Sequence, residues 1–432
     1  MFPTPHISPQ RQHRGPRFTG IPCRSRSRGT SVAHHRCLYR GLFGQSVATL
    51  IATFDNLHTS RTTLEFVLPS RQPVDMDGDG DVDMATAPGV PHMQPFLDST
   101  DVLNDGAELL RRAQRDGYLF LRELLPADDL EHLRMQLLEI ARDGGWVRQG
   151  TLLAEAIADL EGFCLEPEPK YMQTYHRMYK LPEFHAIQHH PGLIGLFERM
   201  LGEAVLPHPR LIGRTIFPQR NQYTTPPHQD FVPIQGTPDT WSAWFSLCDL
   251  TPEMGGLQLA AGSHQQGIYD FEPALGAGGL AVTQDFGDAW VHSPMMQGDV
   301  IIFHSMTVHK GVACSGDRLR MSMDARYQRA REPLSSGSLL PHTSPEMTWN
   351  DVYADWPESD LKYYWKKFDV SELPYDESYH QKRDSLAIEM AECGDARARS
   401  VLQRIIARDP DQAKQLRARQ LLAQLDSTAT KS

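Results

Sequence analysis

Between Gly298 and Gly311 the chain reads GDVIIFHSMTVHKG. A Gly-Asp pair opens an apolar run, Val300 to Phe303, and a short turn then leads to Val308 and His309. Apolar runs of this length, bounded by turn residues, suit buried strands. The same texture extends to either side, in LIGRTIF (211–217), WSAWFSL (241–247), GLQLA (256–260) and RMSMDARYQ (320–328), with Pro, Gly and Asn clusters between them. Short strands at this spacing predict a β sandwich or barrel and not alternating βαβ units.

Helical patterns flank the strands. Leu103, Leu109, Leu110 and Ala113 form a stripe that Gly117 ends, and YLFLREL after it reads as a strand. Pro126 and Asp128 open a second helix through Leu130, Leu133, Leu137, Leu138 and Ile140, and a third covers 183–201. Residues 144–180 read as irregular. The tail returns to helix over 359–368, 380–408 and 411–425, with Asp409-Pro410 as a break and Gly394-Asp395-Ala396 resembling a turn of a helical repeat. The predicted architecture is mainly β with flanking helices. It divides into an extension over 1–97, a catalytic domain over 98–333 and a helical extension over 334–432.

Length and charge narrow the function. The 432 residues carry a net charge of −11, which argues against a nucleic-acid binder, because phosphate attraction needs surplus Lys and Arg. No apolar run is long enough to span a bilayer, so no membrane partner is expected. Six cysteines without a CxxC pair read as reduced thiols, and a cytoplasmic enzyme is the expectation. Residues 1–54 hold eight arginines and no acid, a composition that leaves mitochondrial targeting open. Pro3, Pro5, Pro9, Pro16 and Pro22 would break the amphipathic helix such a segment needs, and disorder or a start near Met76 or Met84 fits better. The run DMDGDGDVD at 75–83 lacks the bidentate glutamate of a calcium loop and reads as an acidic linker.

The chemistry starts at Pro226-Pro227-His228-Gln229-Asp230-Phe231. On an extended strand alternate side chains share a face, so His228 and Asp230 point together and Gln229 points away. His309, seventy-nine residues after Asp230, leaves room for the intervening strands of a double-stranded β-helix and supplies a third leg. Two imidazoles and a carboxylate form the facial arrangement that leaves positions open on Fe(II). Arg320, eleven residues beyond His309, offers a guanidinium that can grip an acidic cosubstrate bidentately.

These stretches resemble the phytanoyl-CoA dioxygenase family of Fe(II)/2-oxoglutarate oxygenases. The likeness rests on DGYLFLRELLPADDLEHLR, HQD, WFSLCDLTPEMGGLQLAAGSH and GDVIIFHSMTVHKGVACSGDRLRMSMDARYQ, and covers residues 98–330. It implies a double-stranded β-helix (jelly roll, cupin-like) core. His228, Asp230 and His309 would bind iron, Arg320 the distal carboxylate of 2-oxoglutarate, and Trp244 would lie beside that pocket. Halogenating relatives carry a small residue in place of the carboxylate ligand, so Asp230 favours hydroxylation. The implied cofactors are Fe(II), 2-oxoglutarate as cosubstrate and O2. The implied reaction oxidises an aliphatic C–H bond of a small organic molecule while 2-oxoglutarate becomes succinate and CO2.

Other readings stand beside these. His304 competes with His309 as a ligand, and Arg318 is the fallback for Arg320. His264 in Gly262-Ser263-His264 reads as structural or at the pocket rim, and His189-His190 as surface residues. Arg326 reads as part of a salt bridge or the cavity wall. Tyr171, Tyr175 and Tyr179 fit equally a helix stripe or a substrate mouth. The carboxy-terminal helices suit packing or a homodimer contact. A non-catalytic cupin-like binding protein and an oxygen-independent cupin isomerase are the alternatives to the oxygenase.

Overall fold

The strands of the computed structural model run, in chain order, β1 Tyr118–Leu121, β2 Val205–Pro207, β3 Ile212–Ile216, β4 Trp241–Ser246, β5 Gly256–Ala260, β6 Phe271–Pro273, β7 Leu280–Val282, β8 Trp290–Val291, β9 Val300–His304, β10 His309–Val312 and β11 Arg320–Arg329. The structure describes residues 93–274, 280–395 and 398–429. The arginine-rich amino-terminal segment and the DMDGDGDVD run lie outside them.

Six strands form one sheet in the order β1-β9-β4-β11-β2, with β3 also paired to β11, and β10-β5-β8 form a second sheet. The strand pairs within both are antiparallel. Alternation along the large sheet separates two cores. Ala243, Phe245, Met321, Met323, Ala325 and Tyr327 face the helical layer. Trp244, Ile301 and Phe303 face the other way, where they meet Leu257, Leu259 and Val291 of the small sheet together with Tyr118 and Phe120. The inner faces of the two sheets therefore enclose a largely apolar interior.

The helices differ from their predicted bounds where turn chemistry intervenes. Asp105 caps Gly106–Asp116, its carboxylate accepting from Glu108 N–H. Gly117 ends that helix in the left-handed region at φ 77°. A side chain there would also lie 2.5 Å from His264 and 2.7 Å from Thr307, so the position requires glycine twice over. The third helix divides into Pro182–Ala186, a 3₁₀ turn and Pro191–Leu201, because the residue before a proline resists the helical region and His190 sits at ψ 133°. Within 144–180, read as irregular, Pro169–Tyr179 is helical.

Packing begins a few residues before Asp98. Gln94 bridges Val291, and Phe96 is buried against Tyr118 and Phe120. The segment after 333 is not uniformly helical. Leu334–Ser335 pairs in parallel with Glu372–Leu373, and Trp349, Trp356 and Trp365 join the helical-layer core. The predicted helix over 359–368 is a run of turns with a 3₁₀ element at Tyr364–Lys367, anchored by ring packing such as Trp349 on Trp365 at 5.0 Å. The predicted helix 380–408 breaks at Gly394, φ 79°, into Ser378–Glu392 and Arg399–Arg408. With Gln412–Ala429 these helices bury Ala391, Leu402, Ile405 and Leu421 among themselves. Among the described residues no helix is long and apolar enough to cross a membrane.

Candidate active site

The HQD segment is not a regular strand. Pro226 and Pro227 have no N–H to donate, which limits pairing to one bridge in which His228 and His309 exchange both backbone hydrogen bonds, at 2.9 and 3.0 Å. Asp230 already lies in the helical region and leads into the short helix Phe231–Ile234. Backbone bonds from Val282 N–H to Pro227 O and from Phe231 N–H to Ser305 O pin the segment at both ends. Gln229 points away from its neighbours, as the alternation predicts. Its amide donates to Gly267 O and Met306 O, and its oxygen accepts from Tyr269 N–H. Gln229→Leu would leave three backbone groups without these partners and is expected to cost on the order of 3 kcal/mol, read as a lower urea midpoint at unchanged m-value.

His228, Asp230 and His309 place one potential ligand atom each within 4.8 Å of one another. The Asp230 Oδ1 atom lies 3.9 Å from His228 Nε2 and 3.8 Å from His309 Nε2. Each imidazole is oriented from behind. His228 Nδ1–H donates to Pro226 O at 2.8 Å, and His309 Nδ1–H donates to Thr307 O at 3.0 Å. Since a carbonyl only accepts, the proton sits on Nδ1, and the Nε2 lone pair of each ring faces the shared centre. The His309 loop is itself tied down: Thr307 Oγ1–H donates to Gly117 O, and Val308 N–H donates to Ser263 Oγ.

Electrostatics sets the protonation states that a metal requires. Burial, reinforced by the neighbouring His309, lowers the pKa of His228 to about 3, and burial lowers that of His309. Both rings are thus neutral donors near pH 7. Burial opposes ionisation of Asp230, but the Arg326 guanidinium, both imidazoles and the Ser242 hydroxyl outweigh it and hold the carboxyl below its usual range. Ser242 Oγ–H donates to Asp230 Oδ2 at 2.7 Å, and Arg326 Nη2 reaches the same oxygen at 3.3 Å. The oxygen nearer the histidines is left for a ligand. Two neutral imidazoles and an ionised, oriented carboxylate form a donor set that fits ferrous iron.

Ser242 and the exact duty of Arg326 escaped the sequence. Only the register shows them facing each other on β4 and β11, with Asp324 completing the cluster at 2.8 Å from Arg326. Arg326→Gln would leave two buried carboxylates without their cation. We expect ferrous affinity about ten- to hundredfold lower, measured by chelator competition.

Arg320 begins β11 and is 5% exposed. Its Nη1 donates to the carbonyls of Met254, Gly256 and Val312, while its Nε has no partner. No carboxylate pairs with it among the described residues. A buried guanidinium in that condition is suited to an anionic ligand. Ser322, Asp324 and Arg326 alternate with it along β11, and Arg326 touches Asp230, so Arg320 lies on the metal-ligand face of the sheet. Trp244 sits opposite Asp324 and projects into the inner apolar cluster.

The competing residues lie elsewhere. His304 packs edge-on against Trp241 at 5.0 Å, and its Nδ1 accepts from Met306 N–H. His264 hydrogen-bonds Gln114 O. Arg318 is exposed. His190 caps a helix through Gly192 N–H. His189 is buried against Tyr364 and is not a surface residue, because the helix break at Pro191 turns it inward. Tyr175 and Tyr179 belong to the packed stripe and hydrogen-bond His342, whereas Tyr171 of the same helix also lines a cavity.

The sequence of residues 113–322 matches the family model described as Phytanoyl-CoA dioxygenase (PhyH). These residues form a phytanoyl-CoA dioxygenase family domain. The chain is similar to 1-deoxypentalenic acid 11-beta-hydroxylase of Streptomyces exfoliatus, with 27% identity over 286 residues that span 62% of this chain and 92% of that protein. Among solved structures it is similar to the epimerase SnoN in complex with Fe3+, alpha ketoglutarate and nogalamycin RO, at 23% identity and a TM-score of 0.37 over 54% of this chain and 86% of that one. It is also similar to the non-heme monooxygenase ThoJ, at 20% identity and a TM-score of 0.40 over 57% of this chain and 94% of that one. The domain over residues 113–322 is that of a 2-oxoglutarate-dependent non-haem iron dioxygenase.

Proposed function

We propose that the chain hydroxylates an aliphatic C–H bond of a small organic molecule, with 2-oxoglutarate converted to succinate and CO2. The facing antiparallel sheets are read as a double-stranded β-helix with the metal site at one end. One observation carries the site assignment: three oriented donors converge on a single point, on the same sheet face as a buried arginine that has no carboxylate partner among the described residues. Iron with 2-oxoglutarate and dioxygen supplies the oxidising power to break the C–H bond. The protein's own contribution is preorganisation. His228 and His309 stay neutral and fixed in one tautomer, and Asp230 stays ionised between Ser242 and Arg326. Arg320 clasps the distal carboxylate of the cosubstrate, and Trp244 with Phe120, Ile301 and Phe303 keeps water from the interior. Asp230 occupies the position that halogenating relatives leave small, which supports hydroxylation over halogenation. The similar Streptomyces protein is named a hydroxylase, which supports hydroxylation as the outcome.

The test is succinate release from the iron-loaded protein during a screen of fractionated metabolite extracts. At least one fraction is expected to raise succinate above the substrate-free background, with a product heavier by one oxygen atom. Succinate release that no fraction stimulates, with no oxygenated product, would contradict the assignment.

A further inference from the structure

A second cavity wall carries a charge that the oxygenase chemistry leaves unused. Arg214 stands on β3 directly opposite Ser322 of β11. Directly opposed residues share a face, so Arg214 shares the metal-ligand face with Arg320, Asp324 and Arg326. Arg320 is opposite Ile216, two residues along β3, which separates the two arginines by roughly 7 Å of strand. Arg214 therefore does not duplicate the cosubstrate anchor. It lines a cavity whose apolar wall includes Phe163, Leu165, Ile216 and Phe217.

The other basic groups near this cavity are engaged. Arg326 holds Asp230 and Asp324. Arg220 donates to Gln219 O and Leu160 O and lies over the Phe163 ring. Arg404 faces Glu166 at 3.9 Å, and Arg408 and His342 stand at the same distance from that carboxylate. Among the described residues, the Arg214 side chain makes no hydrogen bond, ion pair or ring contact. Three guanidiniums thus line the cavity against one carboxylate, which is already shared. The positive charge of Arg214 also acts on His228, His309, Asp324, Arg320 and Glu166.

We propose that the substrate is an apolar organic acid whose carboxylate is bound by Arg214, with its hydrocarbon body against Phe163, Ile216 and Phe217. A guanidinium presents donors in a fork that matches a carboxylate, and a half-enclosed apolar wall strengthens that pairing. The proposal deepens the oxygenase reading and rests on it for what happens after binding. Arg214 is a specificity residue, selecting the substrate's charge and fixing where its body lies in the cavity.

The experiment uses the full chain, anaerobic, with ferrous iron and 2-oxoglutarate. Octanoic, dodecanoic and cyclohexanecarboxylic acids, each beside its neutral carboxamide, are titrated calorimetrically onto the wild type and Arg214→Gln. Charge-transfer absorption is recorded in parallel. At least one acid is expected to bind the wild type about tenfold or more tighter than its amide. Arg214→Gln is expected to lose that preference while keeping the absorption band and its dependence on 2-oxoglutarate. Equal binding of acids and amides, no binding of any acid, or a preference that survives in Arg214→Gln would overturn the proposal. So would loss of the band in Arg214→Gln, which would assign the residue to the cosubstrate. The titration reads binding and not turnover, so a wild type without the band would contradict the oxygenase reading while the acid-to-amide ratio still decides the role of Arg214.

Discussion

Asp230→Ala is expected to abolish productive iron binding while leaving the fold nearly intact. Losing a direct ligand must cost more than the tenfold to hundredfold seen when a partner behind a ligand is removed, so ferrous affinity should fall by well over about a hundredfold. Succinate production should fall to the level of a metal-free control. Stability points the other way. Removing one of a buried ion pair ordinarily costs about 3–5 kcal/mol because it strands the partner. Here Arg326 keeps Asp324 at 2.8 Å, and the repulsion between the two carboxylates disappears. The change in unfolding free energy should therefore stay within about 1 kcal/mol. Urea unfolding of the metal-free protein beside a chelator competition separates the two effects. A variant that retains metal, or one that fails to fold, contradicts the assigned role.

Arg320→Gln is expected to strike the cosubstrate and spare the metal. Truncating one partner of a desolvated charge pair costs about 2–5 kcal/mol, so the KM for 2-oxoglutarate should rise on the order of a hundredfold. Iron affinity in the absence of 2-oxoglutarate should be unchanged, because among the described residues Arg320 bonds to the Met254, Gly256 and Val312 carbonyls and to no ligand residue. Steady-state kinetics in 2-oxoglutarate, with iron content measured on the same samples, distinguishes this from a general loss of the site. Equal losses in both quantities would mean that Arg320 supports the structure and not the diacid.

The parts of this site legible in the sequence were those that alternation and spacing control. His228, Asp230 and Gln229 could be assigned to opposite sides because an extended segment alternates, even though the prolines reduce the strand to one bridge. His309 and Arg320 stand seventy-nine residues after Asp230 and eleven after His309, the spacing that the family resemblance implies. Ser242 and Arg326 were not legible as partners of Asp230, because that contact depends on the register between β4 and β11. The placement of Arg214 on the cavity wall was equally hidden: a lone arginine in LIGRTIF has no mark in sequence that separates it from a surface cation. Helix boundaries failed at Pro191 and Gly394, where one residue's backbone preference overrode a long helical pattern, and the aromatic-rich segment at 359–368 is held by ring packing instead of helix bonds.

Anaerobic addition of ferrous iron and then 2-oxoglutarate to metal-free protein tests the central claim most directly. The wild type should take up one iron per chain and develop a visible charge-transfer band only when both are present, whereas His309→Ala should show none at the same concentrations. A folded wild type that forms no band, or a band undiminished in His309→Ala, would contradict the convergence of His228, Asp230 and His309 on a single catalytic iron.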